Sequence, residues 1–400
     1  MPNVYRALFE HPGSALFSFT GFIARLPISM TSIGIITMLS QLGRPYWLAG
    51  SVAATFILST ALLAPQVSRV VDKHGQSQVL PWATLISATS ILLLLLCTHY
   101  GLPDWTLFVF ALLGGCMPNM AALVRARWTA IYRHSPKLHT AYSFESVIDE
   151  ICFIVGPPIS VGLSVALFPQ AGPLISVVFL IIGVSFFVMQ KSTEPAVTLA
   201  ARGTQQSALR SVPVRILVLS LISLGTIVGA VDIISVAFAE QEGNPASASL
   251  VLSIYAIGSC LSGLAFGTLR IKSPLQQQFM LAAFFTALTT LPLLFISSVW
   301  ALSVAVFFSG LFFAPTMIIA MGLVERQVPE SQLTEGLTWM NTGLGVGAGL
   351  GAAIAGWIVN DFGITSSFYL TLIAGSAVFA LSSLLAQKLN KDAKHEVYCS

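Results

Sequence analysis

Twelve long apolar runs, mostly joined by short polar connections, constrain this chain more than any other feature. They fall near 14–40, 47–71, 79–99, 105–131, 140–166, 173–190, 214–239, 247–269, 277–296, 298–324, 333–359 and 363–387. A helix crossing a bilayer needs roughly 20 mainly apolar residues, and each run meets or approaches that length. Charged residues make up 9% of the chain, against roughly 25% in a soluble domain. With 55% hydrophobic residues over 400 positions, there is more apolar surface than a soluble core hides. The alternation that marks a transmembrane β-barrel is missing. The sequence therefore predicts an all-α polytopic membrane protein with twelve transmembrane helices.

One connection is long and polar. Residues 191–213 carry Arg202 and Arg210 and divide the chain into six-helix bundles at 1–190 and 214–400. If the N-terminus is cytoplasmic, 17 of the 19 lysines and arginines fall in cytoplasmic segments. Of the other two, Arg44 falls outside and Arg25 lies within the first span. The positive-inside rule thus predicts that both termini are cytoplasmic. The first run is too long for a signal-peptide core and reads as an uncleaved span. Four of the five cysteines (Cys97, Cys116, Cys152 and Cys260, but not Cys399) sit in apolar runs without metal-ligand spacing. They imply neither a metal site nor a disulfide framework.

The fifth run is unusual because it holds three carboxylates: Glu145, Asp149 and Glu150. Acids retained in lipid carry protons, ions or substrate, or neutralise a buried cation. At about 1.5 Å of rise per residue, Glu145 lies about 7 Å into the span and the other two about 13–15 Å. Arg25 reaches a depth of about 16 Å in span 1, while Arg125 and Arg127 close the inner end of span 4. Helical spacing puts Glu145, Asp149, Cys152, Gly156 and Ser160 on one face, with Glu150 a quarter turn away. Two readings follow. The arginines and acids form a structural network, or one acid titrates as its surroundings change. Asp149 is the first candidate for proton coupling, then Glu150, with Glu145 nearer the arginines and Asp232 in span 7 a further candidate. Arg25 is a candidate anchor for an anionic substrate. Asn119 and Asn341 are polar positions within spans 4 and 11 that would face either a substrate cavity or a neighbouring helix.

Local echoes link the halves: Pro118-Asn-Met-Ala-Ala-Leu-Val-Arg125 resembles the stretch from Pro315 to Glu325. Two parallel six-helix repeats are a transporter architecture. The loop after span 2 carries Ser68-Arg-Val-Val-Asp72-Lys73-His-Gly75-Gln76-Ser77. This stretch resembles the G-x-x-x-D-[RK]-x-G-[RK]-[RK] motif of the major facilitator superfamily. It keeps the Asp-Lys-x-Gly core, with Ser68 for the first glycine and Gln76-Ser77 for the basic pair. The resemblance covers essentially the whole chain. It implies two pseudo-symmetric six-helix bundles and a conformational latch at Asp72, Lys73 and Gly75. Gly156-Pro157-Pro158-Ile-Ser-Val-Gly162 partly resembles the span 5 signature of drug-exporting members and implies either a sliding interface between the halves or a packing kink. The glycine run from Gly343 to Gly351 would pack span 11 against span 2.

No phosphate-binding G-x-x-x-x-G-K-[ST] loop is present, so coupling to ATP within this chain is excluded. No nucleophile–base or metal constellation in the spans suggests an enzyme, and no cofactor or nucleic acid is implied. The expected function is proton-coupled export of a small amphipathic solute, drug or metabolite, by a monomer in the lipid bilayer. An importer of a polar or anionic metabolite is the alternative. A non-transporting receptor on the same scaffold is a further and less expected alternative, because no appended soluble domain or long tail is read in the sequence.

Overall fold

A computed structural model describes the chain apart from residues 1–5, 133, 134, 136, 196–207, 269–272, 297, 329 and 400. It also leaves out the side chains of some helical residues, among them Asp72. Thirteen α-helices are described: α1 Ser14–Gln41, α2 Tyr46–His74, α3 Gln76–His99, α4 Trp105–Gly114, α5 Met120–Tyr132, α6 Lys137–Ala166, α7 Ala171–Met189, α8 Val212–Gln241, α9 Ser247–Thr268, α10 Leu275–Thr290, α11 Val299–Gln327, α12 Glu330–Phe362 and α13 Ile364–Cys399. Eleven helices among the described residues are long and apolar enough to cross a membrane. The chain divides into two compact units, residues 1–44 with 55–201 and residues 45–54 with 202–400.

The fourth expected span is not one helix but two, α4 and α5, interrupted between Gly115 and Asn119. Pro118 lacks an N–H and disfavours helical geometry at Met117, so the helix stops there. A break inside a membrane leaves carbonyls that need other donors. Ser59 Oγ donates to the Leu112 carbonyl and Ser87 Oγ to the Gly114 carbonyl at 2.6 Å. Gly115 lies so close to Ser59 and the Thr60 backbone that a Cβ would overlap them. Asn119 then restarts the chain as α5, its Oδ1 accepting from the Ala122 N–H at 3.2 Å. That bond is an N-cap. The interruption lets α5 take its own direction, which decides where Arg125, Arg127 and Trp128 lie.

In the first unit α1 packs on α6 and α7. Contacts run along the face of α6 expected from helical spacing. Ser29 Oγ donates to the Cys152 carbonyl at 2.8 Å, Gly156 lies against the Ser29 side chain, and Ser160 Oγ donates to the Met30 carbonyl at 2.9 Å. Thr31 and Ser176 hydroxyls meet at 3.0 Å between α1 and α7. Small side chains let the backbones approach, and hydroxyls bond across the contact, as in other membrane helix pairs. A 3-10 turn, Arg6–Glu10, precedes α1. Tyr132 Oη donates to the Leu8 carbonyl at 3.0 Å, and Lys137 Nζ lies 3.0 Å from Glu10 Oε2. The Glu10 carboxylate raises the pKa of the Lys137 ammonium.

In the second unit α8 packs on α12 and α9 on α11. The first of these contacts is glycine against backbone. Gly225 and Gly229 of α8 abut the carbonyls of Leu344 and Ala348, while Gly347 and Gly351 of α12 abut those of Ile222 and Thr226. Within the second unit the run meets span 7 through Gly343, Gly347 and Gly351, and the start of α2 meets the same helix where Gly50 abuts the Ala352 carbonyl and Gly356 the Tyr46 backbone. Glycines four apart on both helices permit this backbone approach. A methyl at these sites has no space, so Gly229→Ala and Gly347→Ala are each expected to cost about 1–3 kcal/mol, the range for overpacking. Among the described residues nothing lies within 4 Å of a Cβ at Gly162, and Gly162→Ala is expected to stabilise by about 0.5–1 kcal/mol. Thermal unfolding of the purified variants in detergent checks both signs.

Candidate functional site

The acids of α6 meet the arginines of α1 and α5 inside the first unit. Arg25 extends from α1 with its side chain only 3% exposed. Its Nη2 pairs with Glu145 Oε2, and its Nη1 donates to Asp149 Oδ1 at 2.9 Å. Arg125 of α5 donates through Nη2 to the other oxygen, Asp149 Oδ2, at 2.6 Å. Asp149 is therefore held between two guanidinium groups. Glu145 has further donors: Trp128 Nε1 at 2.6 Å and Ser18 Oγ at 3.4 Å. Two arginines and two carboxylates make the tetrad formally neutral, the condition for charges to persist at this depth.

The tetrad is graded in exposure. Glu145 is 0% exposed, while Asp149 and Arg125 are 28% and 30% exposed. Trp128, wholly buried, lies between Phe17 and Tyr132, with ring centroids at 4.6 and 5.9 Å. Those rings fix the indole that fixes Glu145. The inner pair, Arg25 and Glu145, is locked by its surroundings. The outer pair, Asp149 and Arg125, is part-exposed.

Arg127 takes no part in the tetrad. Residues two apart on a helix differ by 200° in direction, so Arg125 and Arg127 point to opposite sides of α5. Arg127 is buried and donates to Gln76 Oε1 at 2.9 Å and Thr193 Oγ1 at 2.8 Å. It also donates to the carbonyls of Gln190 and Phe187 at 2.9 and 3.1 Å, and stands 3.7 Å over the Phe187 ring. A cation on the last carbonyls of α7 caps that helix with the favourable charge. Glu194 Oε1 accepts from the Ser77 N–H at 2.8 Å at the start of α3, an acid at a helix N-terminus. Gln76 and Ser77 stand where the resembled motif has basic residues, and a base at 76 would confront Arg127.

The remaining candidates lie apart. Glu150 is half-buried next to Asp149 on α6 and has interactions of its own. Asp232 is half-buried in α8, in the second unit, and pairs with no described residue. Asn341 is exposed on α12, and Asn119 is the cap of α5. Lys73 is exposed near the end of α2, and Gly75 joins α2 to α3 with φ +90°, a conformation that favours glycine. The Asp72 side chain lies outside the described residues. Helix α6 continues through Pro157 and Pro158. Among the described residues no group of His, Cys, Asp and Glu could hold a metal ion.

A family model described as Major Facilitator Superfamily matches residues 17–269 and 216–396. The chain belongs to the major facilitator superfamily. As a member it is a multi-pass membrane transporter and not an enzyme. Solved transporters share its fold. A mutant of the nucleoside transporter NupG has a TM-score of 0.72 at 16% identity, over 92% of this chain and 98% of that one. A mutant of the peptide transporter POT has a TM-score of 0.73 at 13% identity, over 96% and 95%. A bacterial homologue of the iron transporter ferroportin has a TM-score of 0.69 at 14% identity, over 92% and 98%. Comparison with curated proteins gives no match.

Sequence reasoning missed Trp128 and Ser18, which complete the surroundings of Glu145. Their signal was spacing. Ser18 is seven residues before Arg25 and Trp128 three after Arg125, so each pair shares a helix face. Removing the charge of Glu145 leaves Arg25 with Asp149 alone, and Asp149 is shared with Arg125. Glu145→Gln is expected to cost about 3–5 kcal/mol, as for a broken buried pair. Asp149→Asn is expected to cost distinctly less, because its site is part-exposed. Adding Arg25→Met to Glu145→Gln is expected to recover part of the loss. Thermal unfolding of the three purified variants checks the order.

Proposed function

We propose that this superfamily member is a proton-coupled secondary transporter, working by alternating access, in which Asp149 takes up and releases the proton. The carrying observation is the contrast between its two central acids. Glu145 is wholly enclosed, paired with Arg25 and accepting a hydrogen bond from Trp128 Nε1. Asp149 is 28% exposed and shared between two arginines. A part-exposed charge in a membrane span is far less costly facing a hydrated cavity than lipid, so such a cavity is proposed at Asp149. Moving between wet and dry surroundings changes the cost of its charge, and moving relative to Arg125 changes the compensation. Those are the two levers that load and unload a proton. Asp232 is a second titrating candidate, as a half-buried acid without a described partner.

Orientation and direction belong to the same proposal. The distribution of basic residues supports cytoplasmic termini, and the resemblance to bacterial members of the superfamily underlies the proposed inner-membrane location. Asp72, Lys73 and Gly75 remain the proposed latch, and Gly156-Pro157-Pro158 the proposed sliding surface, set against Ser29 of α1. That signature supports export of a small amphipathic solute by a monomer. A second reading, uptake of an anionic metabolite, is favoured by the part-exposed guanidinium of Arg125.

The test uses proteoliposomes loaded with a pH-reporting dye and solutes chosen for thermal stabilisation of the purified protein. An imposed pH gradient is expected to drive solute flux with proton movement in the wild type. Asp149→Asn is expected to lose gradient-driven accumulation while keeping solute exchange. Equal accumulation by the two proteins would refute the role of Asp149.

A further inference from the structure

Donors and acceptors are unbalanced around Asp149. Arg25 Nε is buried without a hydrogen-bond partner. Arg125 donates one side-chain hydrogen bond among the described residues, to Asp149, and is 30% exposed. A guanidinium has five N–H donors in a fork that suits a carboxylate. The charge balance is equally specific. When Asp149 is protonated, Arg25 keeps Glu145, its fully buried partner, whereas Arg125 has no other described carboxylate. The tetrad then carries one uncompensated positive charge, at the most accessible of its two arginines.

We propose that Arg125, and not Arg25, is the anchor for a small carboxylate-bearing solute, which replaces Asp149 on that guanidinium when Asp149 is protonated. The inference rests on the reading of Asp149 as the proton-coupling acid and names the substrate class of that site. A monoanion restores neutrality and a dianion overshoots it, which favours a monocarboxylate. Arg25 is excluded as anchor because it is 3% exposed and both its terminal nitrogens are engaged. The charged and titratable groups around Asp149 are Arg25 of α1, Arg125 of α5, and Glu145, Glu150 and the Cys152 thiol of α6 itself. Of these, only the Arg125 pairing joins two part-exposed groups among the described ion pairs of the tetrad. One proton and one anion bind together, so both travel in the same direction through the site. That is the second reading above, uptake of an anionic metabolite, and not export.

The experiment is equilibrium titration of the purified full chain in detergent with benzoate, alongside the neutral benzamide and the cationic benzylammonium. Wild type is expected to bind benzoate with an affinity that falls roughly tenfold per pH unit above the titration of Asp149, with one proton taken up per anion. Asp149→Asn is expected to bind benzoate at every pH without proton uptake. Arg125→Gln is expected to lose benzoate binding while unfolding within a few degrees of wild type, and Arg125→Lys to recover part of it. Benzoate binding that survives Arg125→Gln, equals that of benzamide, or never occurs in Asp149→Asn would overturn the proposal. Benzoate binding as described, without gradient-driven flux in proteoliposomes, supports the anchor and refutes the coupling reading. Gradient-driven benzylammonium flux lost in Asp149→Asn, with no benzoate binding, overturns the anchor and leaves coupling intact.

Discussion

A guanidinium buried within a membrane helix is the constraint from which the first unit is built. Arg25 cannot lose its proton, so its charge must be met where it stands. Two carboxylates of α6 meet it, and this fixes α1 beside α6 in one register. The hydroxyl and glycine contacts further along the pair then follow at helical spacing, from Ser29 with Cys152 and Gly156 to Met30 with Ser160. The α4–α5 interruption serves the same end, because it directs Trp128 onto Glu145 and Arg125 onto Asp149.

Neutrality and exposure are divided unequally among the four charges. In the proposed cycle the enclosed pair is the permanent anchor between helices and the part-exposed pair the one that is traded. A network wholly buried would be too costly to break in each cycle, and one wholly hydrated would bind too weakly to couple anything. The second unit relies on a different device, the interlocking of Gly225 and Gly229 with Gly347 and Gly351, which draws α8 and α12 to backbone contact.

Much of this was legible beforehand. Runs of about 20 apolar residues declare spanning helices because a bilayer allows few alternatives. The shared face of Glu145, Asp149, Cys152, Gly156 and Ser160 followed from 100° per residue. The failures were tertiary. Grouping Arg127 with Arg125 respected their depth and overlooked their directions; Arg127 caps α7 instead. Placing the glycine run against span 2 named one neighbour of α12, seen where Gly50 abuts Ala352 and Gly356 abuts Tyr46, and overlooked the contact of Gly347 and Gly351 with α8. The break at Pro118 was written in the sequence, but its tolerance depended on Ser59 and Ser87, which belong to other helices.

By itself, then, the sequence determined the membrane class, the number of apolar runs, the superfamily resemblance and the inventory of buried charges. Composition and periodicity act along one chain segment at a time, and they suffice for those. Only the tertiary structure decided which arginine faces which acid, and that Asp149 and Arg125 are the accessible pair while Arg25 and Glu145 are enclosed. The reason is that pairing and exposure depend on distances between helices far apart in sequence, such as the 124 positions separating Arg25 from Asp149.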